Sequence, residues 1–116
     1  MQGNEAFTPA GIVLAAGLAT RMGAFKQLLP LGGRTLIERV VDQLCSRLER
    51  VVVVVGHRAD EVAGVLAGRP VQCVYNPDYQ LGMSTSVQCG IRGAGPAGAY
   101  LICLGDQPLL AALLEP

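Results

Sequence analysis

Residues 17–26 hold two cations, Arg21 and Lys26, two glycines, Gly17 and Gly23, and no acid. Arginine presents a planar fork of donors and lysine a compact point charge. The glycines let the backbone take positive φ or approach a ligand closely. Small Ala16 and Ala19 leave room around it, and successive backbone N–H groups in such a loop can form an anion nest. This set suits a polyphosphate. It also suits an ordinary surface loop with two solvated charges, and the residue types alone do not choose between the two. Asp106 is the second candidate. Its carboxylate can take a hard cation, or it can serve as a turn or N-cap residue ahead of Pro108. His57 reads as a loop histidine, since no partner acid or nucleophile is identifiable for it. Two common phosphate motifs are absent. Five residues separate Gly17 from Gly23 and Ala24 follows, which breaks the Walker pattern, and the first βα turn lacks G-x-G-x-x-G.

The elements that would position these residues alternate between strand and helix. Residues 11–16 form a short apolar run, read as a buried strand. Thr35 and Glu38 match a capping box, and Leu36, Ile37, Val40, Val41, Leu44 and Leu48 recur at helical spacing behind it. Residues 51–55 are five valines, which suit an interior strand covered on both faces. Residues 59–66 read as a helix, 71–75 as a strand, and Asn76, Pro77 and Asp78 as a turn. Residues 84–91 read as a helix, 93–98 as a loop, 99–104 as a fourth strand, and Pro108 as the start of a last helix running to Leu114. The pattern predicts an α/β fold: a three-layer α/β/α, Rossmann-like domain with a mainly parallel sheet and right-handed crossovers. Ligands in such sheets bind beyond the carboxyl ends of the strands, where strand order reverses. The segments 17–26, 56–58 and 105–108 sit at such ends, so the site is expected among them.

Bulk properties narrow the field. The 116 residues suffice for one domain, with residues 1–9 expected as a loose tail. Charged residues make up 16%, against about 25% in a typical soluble domain. Nine basic residues balance nine acidic ones, they form no cluster, and there is no Trp, which argues against nucleic-acid binding. Cys45, Cys73, Cys89 and Cys103 show no CxxC spacing, so four reduced and mostly buried thiols in a cytoplasmic protein are expected. No apolar run is long enough to span a membrane. The uncharged residues 6–20 follow Glu5 rather than a basic region and are broken by Gly and Pro, unlike a signal peptide. Glu38, Asp42, Asp60 and Glu61 are expected on solvated helix faces.

Residues 14–26 closely resemble the signature L-A-A-G-x-x-x-R-M-G-x-x-K of the NTP-transferase superfamily. Residues 26–30, 76–83 and 104–109 resemble its molybdenum cofactor cytidylyltransferase branch. The resemblance implies a magnesium-dependent nucleotidyltransferase that joins CMP from CTP to molybdopterin, with GTP possible as the donor. It implies that Leu14 belongs to the nucleotide site and that the backbone of Ala15, Ala16 and Gly17 holds base and ribose, that the Gly17–Gly23 loop wraps the triphosphate, and that Arg21 and Lys26 stabilise charge on the α-phosphate and the leaving pyrophosphate. It implies that Asp106 binds Mg²⁺ and that Gly82 and Ser86 contact the nucleotide. Ala16 stands where the guanylyl branch reads glycine, which favours the cytidylyl reading.

Ala19 replaces a common serine, and Phe25 replaces the proline of the sugar and isoprenoid branches. The family also implies further strands beyond residue 116 that carry the acceptor pocket and a second acidic ligand. A sheet ending at the fourth strand would expose an apolar surface through which copies could associate. The competing expectations are another NTP transferase, with guanylyl transfer or a sugar-phosphate or methylerythritol-phosphate acceptor, and a non-catalytic nucleotide-binding remnant.

Overall fold

A computed structural model of the chain describes residues 8–17 and 26–106. The first strand, β1 (Pro9–Ala15), is buried from Ala10 onward. Its ladder begins inside the segment expected as tail: Pro9 pairs with Ala99, and Thr8 O accepts from Gly98 N. After a 3₁₀ turn (Lys26–Leu28), β2 (Pro30–Leu31) and β3 (Arg34–Thr35) form a small antiparallel hairpin. Gly32 and Gly33 turn it, both at positive φ, as a two-residue hairpin loop requires. Thr35 then caps α1 (Leu36–Cys45), with both arms of the capping box formed.

β4 (Arg50–Val55) follows, and its five valines are buried. α2 (Ala59–Val65) leads to β5 (Gln72–Tyr75), and a 3₁₀ turn (Tyr79–Leu81) leads to α3 (Met83–Ala94) and β6 (Ala99–Leu104). The four long strands are parallel, in the order β5-β4-β1-β6. Side chains alternate across the sheet. Val13, Ala15, Val51, Val53 and Val55 face α1 and α2, whose Ile37, Val40, Val41, Leu44 and Val62, with Leu66 just past the end of α2, close one core. Ile12, Leu14 and Val54 face α3. The result is the three-layer α/β/α arrangement.

α3 extends three residues beyond the expected end at 91 and takes in Gly93 and Ala94, which read as loop from their size. The small residues are there because the helix lies close to the sheet. A Cβ at Gly90 would collide with Ile12 Cγ2, and one at Gly93 would lie 3.0 Å from Val74 Cγ1. β6 has β1 as its neighbour on one side and is an edge strand among the described residues; Tyr100, Leu101, Ile102 and Leu104 are only half-buried.

Two surface expectations change. Cys103 is buried and Cys45 and Cys89 are half-buried, but Cys73 on the β5 edge is exposed; all four thiols are free. Glu38 and Asp42 are not merely solvated. Arg69 bridges both, at 3.1 Å to Glu38 Oε2 and 2.7 Å to Asp42 Oδ1, and Arg34 adds a second cation to Asp42. Hydrogen bonds from Arg69 hold the Asp42 carboxyl below its usual range, and the Thr35 backbone N–H does the same for Glu38. A carboxyl lowered in the fold contributes stability above its unfolded pKa, about 4, and loses it as pH falls through the folded value. Stability is therefore expected to drop on acidification below about pH 4, and Asp42→Asn to flatten that drop. Urea unfolding at stepped pH reads this directly; identical pH slopes for both proteins would show that Asp42 does not couple protons to folding.

Candidate functional site at the strand-order reversal

The backbone of the site is built at the carboxyl ends of the strands. From β1 the chain builds outward to β4 and β5, then crosses back to place β6 on the other flank of β1. The order therefore reverses between β1 and β6, where the two crossovers leave a crevice. Hydrogen bonds carry the ladders past the strand ends. Gly105 N donates to Leu14 O at 3.0 Å, His57 N to Ala16 O at 3.1 Å, and Asn76 N to Val55 O at 2.8 Å. The exits of all four strands thus hold one level. Leu14, Ala15 and Ala16 are buried there, Gly17 is exposed, and Asp106 is half-buried on the neighbouring exit.

Gly17 is informative for what it does not do. Of the two expected uses of its freedom, positive φ is not taken, and a Cβ on it would meet nothing within 4 Å. Neither backbone conformation nor packing among the described residues calls for glycine there. Among the described residues the surface at Gly17 is open. Across the crevice, a Cβ at Gly105 would lie 3.2 Å from Gln27 Cγ. The turn that Lys26 opens therefore returns against the exit of β6. Arg21 and Gly23 lie outside the described residues, as does the expected last helix, and for Lys26 only the backbone is described.

The third wall is the amino end of α3. Ala94 packs with Ala10 and Val52, and Gly90 meets Ile12 and Val54. Each helical turn back toward Met83 thus climbs two strand residues, which places Ser86 at the level of Leu14 and Gly56. Ser86 is 5% exposed, and its hydroxyl accepts from Asn76 Nδ2 at 2.9 Å. Gly82 caps the helix at φ 125°, a conformation suited to glycine, and no side chain caps the first turn. Tyr79 lies on Gly56: a Cβ there would come within 2.7 Å of the ring. The structure therefore brings Leu14 to Gly17, Ser86 and Asp106 to one edge of the sheet. From the sequence Asn76 reads as turn chemistry and residues 76–83 as one stretch of the resemblance, with no individual role for Asn76 or Tyr79.

His57 sits in the loop after β4, its ring 6.4 Å from that of Tyr79, as a loop histidine. An open depression of about 730 Å³ lies elsewhere, between α2 and the β5 edge, lined by Val55, Arg58, Glu61, Cys73 and Tyr75 among others. It stands away from the β1/β6 reversal, and Arg58 and Glu61 in its wall form an ion pair with each other. The reversal is the better candidate because it gathers the open backbone, the carboxylate and the helix end.

Among the described residues no three His, Cys, Asp or Glu side chains cluster as metal ligands. The Asp106 carboxylate forms no hydrogen bond or ion pair with them either. A single carboxylate without a partner among the described residues fits a hard divalent cation of the kind commonly held by one or two carboxylates plus substrate phosphates. No helix among the described residues is long and apolar enough to cross a membrane.

The model of a family described as the MobA-like NTP transferase domain matches residues 11–114. The chain is 40% identical over 105 residues to the bifunctional protein GlmU of Listeria monocytogenes, covering 87% of this chain and 22% of that protein. A solved nucleotidyl transferase from Methanothermobacter superposes with a TM-score of 0.79 at 37% identity, over 87% of this chain and 51% of that one. The Mycobacterium tuberculosis protein Rv0371C, solved in complex with manganese, superposes with a TM-score of 0.75 at 27% identity, over 93% of this chain and 56% of that one. The chain therefore spans about half the length of these solved proteins and less than a quarter of the curated relative.

Proposed function

The chain belongs to the MobA-like NTP transferase domain family, and we propose from that membership that it is the nucleotide-binding part of a cytoplasmic nucleotidyltransferase passing CMP from CTP to a phosphorylated acceptor, molybdopterin foremost. The observation that carries the reading is the pairing at the strand-order reversal. Gly17 leaves open backbone at the exit of β1, and the uncommitted Asp106 stands at the exit of β6.

In this reading base and ribose lie on Leu14, Ala15 and Ala16, against Gly82 and Ser86. The triphosphate follows Gly17 into the loop that carries Arg21, Gly23 and Lys26. A phosphate oxygen of the acceptor attacks the α-phosphorus in line. The new P–O bond forms as the α–β bridging bond breaks, and pyrophosphate departs with the electron pair. Positioning and charge stabilisation are the protein's contribution. Arg21 and Lys26 meet charge growing on the α-phosphate and on pyrophosphate. Asp106 would hold the divalent cation, which when bound would supply positive charge to the phosphates. The manganese in Rv0371C supports a divalent ion in this family.

The identity to GlmU favours a second reading, another NTP transferase with guanylyl transfer or a sugar-phosphate or methylerythritol-phosphate acceptor. A chain that binds nucleotide without turnover is the third. Pyrophosphate release from CTP, GTP, UTP and ATP, measured with magnesium and with molybdopterin, a sugar 1-phosphate or methylerythritol phosphate, separates them. Release led by CTP with molybdopterin is expected. Release led by another pair reassigns donor and acceptor, and nucleotide binding without release with any acceptor leaves the third reading.

A further inference from the structure

We propose that Asn76 is a positioning residue: its side-chain amide fixes the Ser86 hydroxyl with its proton turned toward bound nucleotide, and it ties the Gly82-to-Ser86 segment to the sheet edge. What the hydroxyl meets rests on the nucleotide reading above; the tie does not.

Asn76 is only 3% exposed, yet it is polar and sits where a strand has just ended. Its backbone N–H continues the β4 ladder to Val55 O. Its Oδ1 accepts from Asp78 N at 2.9 Å, and its Nδ2 donates to Thr85 Oγ1 and to Ser86 Oγ, each at 2.9 Å. The Asp78 N–H sets the orientation of the amide, because a flipped side chain would oppose two donors. Both protons of the NH₂ are therefore directed at the first turn of α3.

The two hydroxyls then diverge. Thr85 Oγ1 passes its own proton back to Gly82 O at 2.7 Å or Asp78 O at 2.9 Å, which closes the Asp78-to-Thr85 loop on itself. Ser86 Oγ has no acceptor for its proton among the described residues, although the residue is nineteen-twentieths buried. A buried donor left unmade is costly, so the proton is held for an acceptor atom that arrives: a carbonyl, hydroxyl or phosphate oxygen of the nucleotide. Asn76 decides that polarity. An amide NH₂ at this place makes Ser86 accept from it and donate outward. A carboxylate would accept the hydroxyl proton and turn it inward.

Asn76→Asp makes that exchange with almost no change of shape. Calorimetric titration of CTP with Mg²⁺ into the wild-type chain, Asn76→Asp, Ser86→Ala and the double variant tests it, with amide hydrogen exchange measured on the nucleotide-free proteins. Each single change is expected to weaken CTP at least about tenfold. The double variant should be no weaker than the worse single, within about twofold, because one residue acts through the other. Exchange at residues 82–86 should accelerate in Asn76→Asp while β1 and β4 stay protected. Losses that multiply in the double variant overturn the proposal, as does a folded Asn76→Asp that binds CTP and exchanges like wild type. If wild type itself binds no nucleotide, the functional reading fails, and exchange alone decides whether Asn76 is the tie. Should Asn76→Asp not fold, Asn76→Ser, too short to reach Ser86, takes its place in the same cycle.

Discussion

Gly90→Val is expected to cost about 3 kcal/mol of stability and to lower the thermal midpoint by roughly 10 °C. The helix–sheet contact is the reason. The Cβ alone would collide with Ile12 Cγ2 and sit 3.0 Å from Val54 Cγ2, and both partners are fully buried. Ile12 is β-branched and stiff at χ1, and it lies on the central strand, so it has little room to yield. The helix must move instead, and Ser86 and Gly82 move with it. Gly64→Ala on α2 is the control: a Cβ there meets nothing within 4 Å, so it should stabilise by about 0.5–1 kcal/mol through helix propensity alone. Thermal denaturation of the two variants should thus give shifts of opposite sign. A Gly90→Val midpoint equal to wild type would contradict the close packing of α3 on β1 and β4.

Asp106→Asn should weaken magnesium-dependent CTP binding at least about tenfold, while leaving the free energy of unfolding within about 0.5 kcal/mol of wild type. The substitution keeps the shape and removes only the charge. Asp106 makes no hydrogen bond or ion pair among the described residues, so none of those contacts is lost. The nucleotide, in contrast, would lose a carboxylate facing its cation. Titration with and without Mg²⁺ separates the two effects. If the variant binds CTP as wild type does in magnesium, Asp106 is a turn residue and the metal assignment falls.

These readings also show which physics a sequence carries on its face. The five valines announced an interior strand because β-branched side chains without alternation fit little else, and β4 is buried along that whole run. The capping box announced α1 because both partners lie within four residues. The hairpin of β2 and β3 escaped notice because two-residue strands carry no period, although the Gly32-Gly33 pair is its signal. The end of α3 was misread because small residues suit a loop and a close helix–sheet contact equally well, and only the positions of Ile12, Val74 and Val52 distinguish the two.

Partners distant in sequence set the other limit. Asp42 and Arg69 are 27 residues apart, and Asn76 and Ser86 are ten apart; neither pairing follows from local spacing. At the site, motif order alone picks out Leu14 to Gly17, Gly82, Ser86 and Asp106 along the chain. Their convergence depended on the strand order, which the alternation of elements does not specify.

The central claim is that nucleotide binds where β1 and β6 diverge. Backbone amide chemical-shift mapping of the isotope-labelled chain during titration with CTP and Mg²⁺ tests it most directly. The expected result is saturable shifts concentrated at residues 14–17, 82–86 and 105–106, reduced in Asp106→Asn. Shifts confined to the depression around Arg58 and Tyr75, or none in a chain whose spectrum shows it folded, would contradict the account.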